Sequence, residues 1–534
     1  MAQKNKRAHY ALLLTIFAVF LICLLLPNFF GGQELEKVAG SPWEEALATE
    51  IPTEAENANA DGLENTEDEE TTAAQMPEKP TEITDLTGAF EVILQGATKE
   101  FIAGYPVDQA FLLWLTSKYG EEAVNEIAYS ILDEENDIDT WYQATGNSIH
   151  VLWVEYCKDS GFQPYQLEHV HWIETQSEHE VTFGFTGDFN FGENWCTTDY
   201  MNAQPNGIYD CFSENLLTKM QAVDILMVNN EFVYSDRGSA LPGKAYTFRA
   251  TPDKVKILEA FGADLANLAN NHTYDYGEEA LLDTMEYLTN AGVEYIGAGE
   301  NLDEASKIIY YIANGKKIAI VSATEIERSA NYTKEATANS AGVLKTLNPE
   351  RFINVIKEAE SISDYVIAVV HWGTEGNLYP DDSQKRLSEA FVSAGADVII
   401  GGHPHRLQGA GFVDDVPVAY SLGNFWFSTG TLYTTVTEVA IKEDGSLSLK
   451  YLPCVQKDLT TSLITDTTEM EEFYHYLAAI SNGIGIDATG TVYNKTAQDY
   501  PVEQILYDSD TSTTPVIGAS DNEGNAIDIV GNRK

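Results

Sequence analysis

The hydrophobic pattern of the chain begins with one long apolar run close to the N-terminus. Residues 11–26 are apolar apart from Thr15, and further apolar residues follow a proline, so that the run approaches the roughly 20 residues that span a bilayer. Basic residues precede it and no small-x-small cleavage site follows. We therefore predict a cytoplasmic segment over residues 1–9 and a transmembrane anchor over residues 10–30, with a cleaved signal peptide as the alternative. The positive-inside rule then places the remainder of this single-pass chain outside the cell.

Large apolar side chains almost disappear after this run. Residues 43–85 are rich in Glu, Asp, Thr, Ala and Pro, with Lys79 as their sole basic residue. Such a segment cannot bury enough apolar surface to become ordered, so we predict a disordered acidic linker over residues 31–85.

Apolar residues return at helical spacing between residues 86 and 176. Val124, Ile127 and Ile131, for example, fall on one face of a helix. This spacing predicts a small helical domain over residues 86–176, without a chemical motif. His169 and His171 form a His-x-His pair there, but no acidic or glycine-rich context supports metal binding by them.

Beyond residue 181 short apolar runs alternate with amphipathic segments, which is typical of a layered α/β domain with buried strands. The predicted strands are residues 181–185, 225–228, 317–321, 365–370, 398–400 and 416–420, and the predicted helices are residues 252–261, 278–290, 349–361 and 382–394. A hairpin is predicted within residues 435–454. We assign residues 181–460 to this domain and residues 461–534 to a partly disordered C-terminal extension.

Charge and cysteine content narrow the classes of function. The formal net charge of −52 argues against nucleic-acid binding, because polyphosphate would be repelled, whereas divalent cations would be attracted. Cys196 and Cys211 are close enough in sequence to form a disulfide in an oxidising exterior, and unpaired buried thiols are an equally good interpretation.

Polar side chains follow five elements at the point where each ends. These are the predicted strands over residues 181–185, 225–228, 365–370 and 398–400, and the segment over residues 264–268. Because the carboxyl ends of strands in an open α/β sheet meet along one edge, we expect these side chains to converge there. Carboxylates, an amide oxygen and neutral imidazoles are ligands for Mn, Fe, Zn or Mg. The alternative is structural: a core histidine at 272, a turn cap at 188, and loop-orienting carboxylates at 275 and 375. The side chains are Asp188, Asn190, Asn229, Glu231, Asn271, His272, Asp275, His371, Glu375, His403 and His405.

The order of these motifs resembles a known family. The motifs are Gly187-Asp188, Asn229-Asn230-Glu231, Ala269-Asn270-Asn271-His272, His371-Trp372-Gly373-Thr374-Glu375, Gly402-His403-Pro404-His405 and Ser421-Leu422-Gly423-Asn424. Together they resemble the capsule-synthesis family CapA, also called PgsA, over residues 181–427. That family is associated with making or exporting poly-γ-glutamate, and its fold is similar to that of the calcineurin-like metallophosphoesterases.

The resemblance implies a centre for two divalent metal ions and two-metal hydrolysis. It implies six ligands: Asp188 and His405 at the first metal, Glu231 as the bridge, and Asn271, His371 and His403 at the second. His272 would protonate a leaving group or stabilise charge. The remaining candidates would support the ligands or contact substrate; they are Asn190, Asn229, Asp275 and Glu375.

The chain departs from the phosphoesterase pattern at two positions. Asn190 stands where those enzymes have a ligating histidine, and Glu231 replaces their bridging aspartate. These departures weaken the first metal site.

We therefore expect a membrane-anchored extracellular CapA-like protein of capsule or poly-γ-glutamate biosynthesis or export, acting as a metal-dependent hydrolase or transferase. One alternative is a non-catalytic polymer-binding or export subunit that retains the fold. Another is a cell-envelope phosphodiesterase. The expected partners are the membrane, an anionic polymer such as poly-γ-glutamate, and membrane synthase subunits.

Overall fold

A computed structural model describes residues 83, 85–133, 137–161, 169–328 and 332–512, and two short strands beyond them. All of these residues belong to one unit. The predicted cytoplasmic segment, the anchor over residues 10–30 and all but the end of the linker over residues 31–85 lie outside the described residues. Within the described part of the chain, no helix is long and apolar enough to cross a membrane.

Helices and strands alternate through most of the described chain. The helices are α1 Leu86–Gly96, α2 Gln109–Tyr119, α3 Glu121–Leu132, α4 Thr140–Thr145, α5 Ile149–Ser160, α6 Cys196–Ala203, α7 Glu214–Met220, α8 Ile257–Phe261, α9 Glu278–Ala291, α10 Leu302–Ala305, α11 Glu350–Glu360, α12 Asp382–Ser393 and α13 Thr467–Ala479. The strands are β1 Val170–Trp172, β2 Glu180–Phe189, β3 Ile225–Asn230, β4 Val233–Tyr234, β5 Arg249–Ala250, β6 Leu265–Asn267, β7 Glu294–Ile296, β8 Ala298–Gly299, β9 Ile309–Ala313, β10 Lys316–Thr324, β11 Gly342–Val343, β12 Tyr365–His371, β13 Val398–Gly402, β14 Ala410–Val413, β15 Val416–Ala419, β16 Asn424–Trp426, β17 Leu432–Lys442, β18 Leu447–Lys457, β19 Thr460–Leu463, β20 Ile484–Asp487, β21 Val492–Asn494, β22 Ile505–Asp508, β23 Ala519–Ser520 and β24 Ala526–Ile527.

Two mixed sheets form the centre of the fold. One has the order β1-β9-β10-β12-β13-β15-β14, and the other has the order β19-β18-β17-β2-β3-β6-β7 with β16 paired to β2. Apolar side chains of both sheets, such as Phe183 and Met227 from one and Ile320 and Ile367 from the other, share a single buried core. The predicted layered α/β architecture is thereby confirmed.

The expectation of one open sheet was wrong. β2, β3 and β6 are neighbouring strands of one sheet, whereas β10, β12 and β13 are neighbouring strands of the other. The physical reason is burial: both sets of strands carry near-continuous apolar runs, and stacking the two sheets covers an apolar face of each. The strand ends that carry polar groups therefore come from two stacked sheets.

The helix predicted over residues 252–261 begins with a turn that is wound more tightly than an α-helix. Its first turn, Pro252–Lys256, is a 3₁₀ helix, and Thr251 makes no side-chain capping hydrogen bond. The α-helix then ends before Gly262, whose φ of 71° is a left-handed conformation that glycine adopts without steric cost.

The five helices α1–α5 pack around an aromatic core and lie against the first sheet. Within that core, Trp141 Nε1 donates to the carbonyl of Phe101 at 2.7 Å. Lys317 on β10 donates to the carbonyl of Ala103 at 2.8 Å. The end of the segment predicted as helical, Val170–Trp172, is an edge strand that pairs with β9.

The thiols and the C-terminal extension complete the description of the fold. The four cysteines of the described chain are free, so the disulfide between Cys196 and Cys211 is not formed; they are Cys157, Cys196, Cys211 and Cys454.

In the C-terminal extension, which begins at residue 461, side chains of α13 enter the core between the sheets. The predicted hairpin is formed by β17 and β18.

Gly187 lies in close contact with the backbone of Gly423, and a mutation can test this contact. A Cβ added there would lie 1.9 Å from the backbone oxygen of Gly423, which cannot move like a flexible side chain. We expect Gly187→Ala to destabilise the domain by about 1–3 kcal/mol or more, measured as a lower urea midpoint. Gly88→Ala in α1 is the matched control, because its nearest neighbour would be 3.6 Å away, and it should be neutral or stabilising. Equal midpoints for the two variants would contradict this account.

Candidate metal centre

The centre is built around the end of β2, where Asp188 is fully buried. The backbone N–H of Asp188 donates to the carbonyl of Gly423 at 2.9 Å. Asn424 on β16 pairs in parallel register with Asp188. The chain near residue 424 thus fixes the direction in which the Asp188 side chain leaves the strand.

Two carboxylates and one imidazole lie close enough to hold a common ion. Ligand atoms of Asp188, Glu231 and His371 all lie within 4.8 Å of one another, and all three residues are buried. Asn229 orients the two acids, because its Nδ2 donates to Asp188 Oδ1 at 2.7 Å and to Glu231 Oε1 at 3.0 Å. Asn229 is in turn held by Asn267, whose Nδ2 donates to Asn229 Oδ1 at 3.0 Å.

Asn271 and His371 meet at this cluster although they come from different sheets. His371 Nε2 lies 2.9 Å from Asn271 Oδ1 and 3.2 Å from Glu231 Oε1. His371 is the last residue of β12, and Asn271 follows β6. The contact therefore forms where the ends of two stacked sheets meet.

The two histidines around Pro404 point to different neighbours. Their φ angles are positive, 98° at His403 and 55° at His405, which turns the backbone sharply between them. The ring of His403 lies 4.9 Å from that of His371. His405 Nδ1 lies 2.7 Å from Asn424 Oδ1 and 3.0 Å from Asp188 Oδ2. One histidine is thus beside the His371 end of the cluster and the other is beside Asp188.

Burial and mutual charge shift the acid–base behaviour of these groups. Burial, and next the negative charge of Asp188, raise the pKa of Glu231 well above its usual value. Burial alone would raise the pKa of Asp188, but the hydrogen bond and charge of His405, together with hydrogen bonds to Asn229 and Glu231, more than offset this and lower it. Burial lowers the pKa values of His371 and His403 well below the usual value, so both imidazoles stay neutral. Burial opposes protonation of His405 too, yet the hydrogen bond and charge of Asp188, together with Glu375 and Asn424, outweigh it and raise the pKa of His405.

The donor set fits a divalent metal. Among the described residues, Glu231 Oε2 and His403 Nδ1 are buried and have no hydrogen-bond partner. A buried polar atom without a partner is costly, and a metal ion would satisfy both atoms. Carboxylate, amide and neutral imidazole donors with no thiolate suit Mn, Fe, Zn or Mg. The structure brings together Asp188, Glu231, Asn271, His371, His403 and His405 in this arrangement.

His272 lies beside the centre and is held by a carboxylate. Its Nδ1 is 2.8 Å from Asp275 Oδ2, and its ring packs 4.5 Å from that of Phe248. Burial lowers the pKa of His272, although the charge of Asp275 acts in the opposite direction. The carboxylate fixes the ring so that Nε2 is left for other contacts.

A cleft of about 1180 Å³ opens above the centre. His272, His403 and His405 line it, and Glu375 is an exposed lining residue. Asn190 does not line it, because the Asn190 side chain serves a turn: its Oδ1 accepts from the N–H of Gly192 at 2.7 Å. The structure therefore places Glu375 beside the cleft and Asn190 in a buried turn with Gly192.

Sequence reasoning missed two residues of this region. Lys244 lines the cleft and contacts Asp275 at 2.6 Å, but no strand end or motif marks it. Asn424 contacts His405, and its signal was present in the Ser-Leu-Gly-Asn motif without being assigned a role.

Comparison with known proteins locates relatives of the same region. Residues 182–429 match the family described as "Bacterial capsule synthesis protein PGA_cap". The "PGA biosynthesis protein CapA" of Bacillus subtilis (strain 168) is 34% identical over 214 residues, which are 39% of this chain and 55% of that protein. The "Capsule biosynthesis protein CapA" of Bacillus anthracis is 31% identical over 236 residues, 43% of this chain and 56% of that protein. The match thus spans little more than half the length of these two relatives.

Among solved structures, a 5'-nucleotidase from Candida albicans SC5314 aligns with 53% of this chain and 53% of its own, at 13% identity. Its TM-score of 0.28 is too low to indicate a shared fold.

The matched segment contains the carboxylates, amides and imidazoles of the centre, and this agrees with the family resemblance of the sequence motifs. Residues 182 to 429 thus match the bacterial capsule synthesis protein family PGA_cap, and the chain is similar to the CapA proteins of Bacillus.

Proposed function

We propose that this protein is a metal-dependent hydrolase or transferase of capsule or poly-γ-glutamate metabolism, anchored in the membrane with its α/β domain outside the cell. The buried cluster of Asp188, Glu231 and His371 is the observation that supports catalysis most directly. Fully buried carboxylates facing one another are unfavourable in a purely structural role, whereas they suit a site that binds cations.

The proposed chemistry assigns metal binding and proton transfer to different residues of the chain. Asp188 and His405 would hold a first divalent ion, Asn271, His371 and His403 would hold a second, and Glu231 would contribute its carboxylate to both. Bound metal supplies Lewis-acid polarisation of the bond that is attacked. With its own proton on Nδ1 facing Asp275, His272 takes up on Nε2 the proton that the attacking nucleophile releases and gives it to the leaving group, and Asp275 keeps the imidazole in the orientation that makes this transfer possible.

The proposed substrate is an anionic polymer, as the names of the Bacillus relatives suggest. The cleft is not itself cationic. Its lining includes Asp199, Glu327 and Glu375, and its Arg328 is already paired with Glu325 and Asp381 at 2.7 and 2.9 Å. Bound metal is therefore needed to attract an anion to this surface.

Metal analysis combined with substrate assays tests the proposal. The purified protein should bind divalent metal and, once loaded, cleave γ-glutamyl amides or transfer the γ-glutamyl group. The parallel assay uses phosphodiesters, and turnover confined to them would favour the cell-envelope phosphodiesterase. Metal binding without turnover on either class would favour the non-catalytic export subunit.

The proposed topology has its own test. Because basic residues precede the apolar run at residues 11–26, protease added to intact cells should remove the domain that begins near residue 181. The control is the same treatment after detergent lysis, where a cytoplasmic marker protein should become sensitive as well. Complete protection of the domain in intact cells would reverse the proposed orientation.

A further inference from the structure

Lys244 lies in the segment between β4 and β5, and its side chain is only 7% exposed. Its ammonium contacts three acceptors: Asp275 Oδ1 at 2.6 Å, Glu327 Oε1 at 3.3 Å and the backbone oxygen of Asn271. An ammonium carries three protons and accepts none, so these acceptors match its full donor capacity. A lysine held in this way is fixed rather than available as a mobile surface charge.

The carboxylate that Lys244 contacts also holds His272. Asp275 is fully buried, and its Oδ2 accepts from the N–H of Phe248 at 2.6 Å and lies 2.8 Å from His272 Nδ1. One oxygen of Asp275 is thus occupied by the ammonium and the other by the imidazole. Removing the ammonium would leave the buried carboxylate without its cation, which is strongly unfavourable.

Lys244 also connects loops that follow strands of different sheets. Asn271 and Asp275 belong to the turn after β6, whereas Glu327 follows β10 in the other sheet. The segment that carries Lys244 lies on the same turn, since the N–H of Leu241 donates to the carbonyl of Asp275 at 2.9 Å. The lysine therefore fixes the 271–275 turn relative to both sheets.

We propose that Lys244 is a positioning residue, which holds the 271–275 turn through Asp275 and so fixes the imidazole of His272 toward the cleft. This inference rests on the proposed function, in which His272 holds the proton for the leaving group. Lys244 acts through Asp275 and the backbone of Asn271. Its loss should disorder the orientation of His272, while the proposed metal ligands outside the 271–275 turn keep their places.

The first test observes His272 directly in the full chain, loaded with Zn²⁺ and labelled with ¹⁵N-histidine. The chain has 10 histidines, and the His272 signals are assigned by their loss in His272→Gln. Wild type should show a single tautomer with the proton on Nδ1. In Lys244→Met the two ring-nitrogen signals of His272 should move toward an average of both tautomers. Unchanged His272 signals in a folded Lys244→Met protein would overturn the proposal.

Lys254→Met is the matched control, because Lys254 is 11% exposed and pairs with the single carboxylate Glu193 at 3.4 Å. This variant should leave the His272 signals unchanged, and an equal change would overturn the proposal. Lys244→Arg keeps the positive charge and covers the case in which Lys244→Met does not fold. The arginine variant should restore the wild-type tautomer at least in part, and a loss of the tautomer equal to that in Lys244→Met would contradict the charge role.

Turnover separates this inference from the proposed function. Lys244→Met should retain its Zn²⁺ content and lower kcat by about 100-fold with little change in KM, as expected for a misplaced proton donor. If wild type has no turnover on any substrate class, the proposed function fails, while the His272 signals still decide the role of Lys244. A kcat equal to that of wild type in the presence of turnover would overturn the positioning role.

Discussion

Replacing His403 by alanine is expected to remove one metal ion from each chain, whereas replacing His405 should mainly weaken the binding of the other. His403 lies beside His371 and has a buried Nδ1 without a partner among the described residues. His405 instead contacts Asp188. The measurement is metal content per chain, together with dissociation constants from titration of the metal-free protein. Because the first site lacks a histidine at position 190, its ion should already be the weaker one in wild type.

The pH dependence of metal content should differ between the two sites. His371 and His403 have pKa values well below the usual 6.5, so they are neutral and ready to bind metal at neutral pH. The pKa of His405 is raised, so this imidazole holds its proton to higher pH, and a metal must displace that proton. As pH falls, occupancy should therefore decline first at the site of His405. His179→Ala is the control, because His179 is 79% exposed and pairs with Glu443.

An unchanged number of metal ions per chain in both His403→Ala and His405→Ala would refute the metal-site hypothesis.

His272→Ala is expected to keep its metal and lose turnover by about 10²- to 10⁴-fold, the range typical of a general acid. The reason is geometric: His272 lines the cleft next to the ligands, but its Nδ1 is bound to Asp275. The measurement is kcat on the substrate class identified for wild type, at equal metal content.

The matched control for this variant is Phe248→Leu, which removes the aromatic contact with the ring but leaves Asp275 in place. Its effect on kcat should be much smaller. Full polymer production by cells that carry His272→Ala would favour the export-subunit alternative over catalysis.

The sequence was sufficient to predict the layered fold and the set of strand ends because both depend on local signals. Apolar runs of four to eight residues followed by polar groups mark buried strands wherever they occur. The assignment of strands to two sheets could not be predicted, because the pairing of β12 with β13 and of β2 with β3 depends on long-range packing. For the same reason the assignment of Asn271 and His371 to one metal ion was implied only by the family resemblance.

Residues that reach the site from loops were less predictable than residues at strand ends. Lys244 has no neighbouring motif, and its role depends on acceptors that lie far from it in sequence. Asn190 illustrates the opposite case, since its place in a motif suggested a ligand-like or substrate-contacting role, whereas its side chain completes a turn with Gly192. Local pattern indicates where polar groups lie along the chain, and only the fold decides which of them face one another.

The contact between Asp188 and the segment at Gly423 and Asn424 has a consequence for how the protein is made. A chain grows from its N-terminus, so Asp188 and Glu231 leave the ribosome long before β16 exists. During that interval the two acids have neither His405 nor the backbone support of Gly423. We therefore expect nascent chains shorter than about residue 424 to bind metal poorly at the proposed centre, so that loading follows the synthesis of most of the domain.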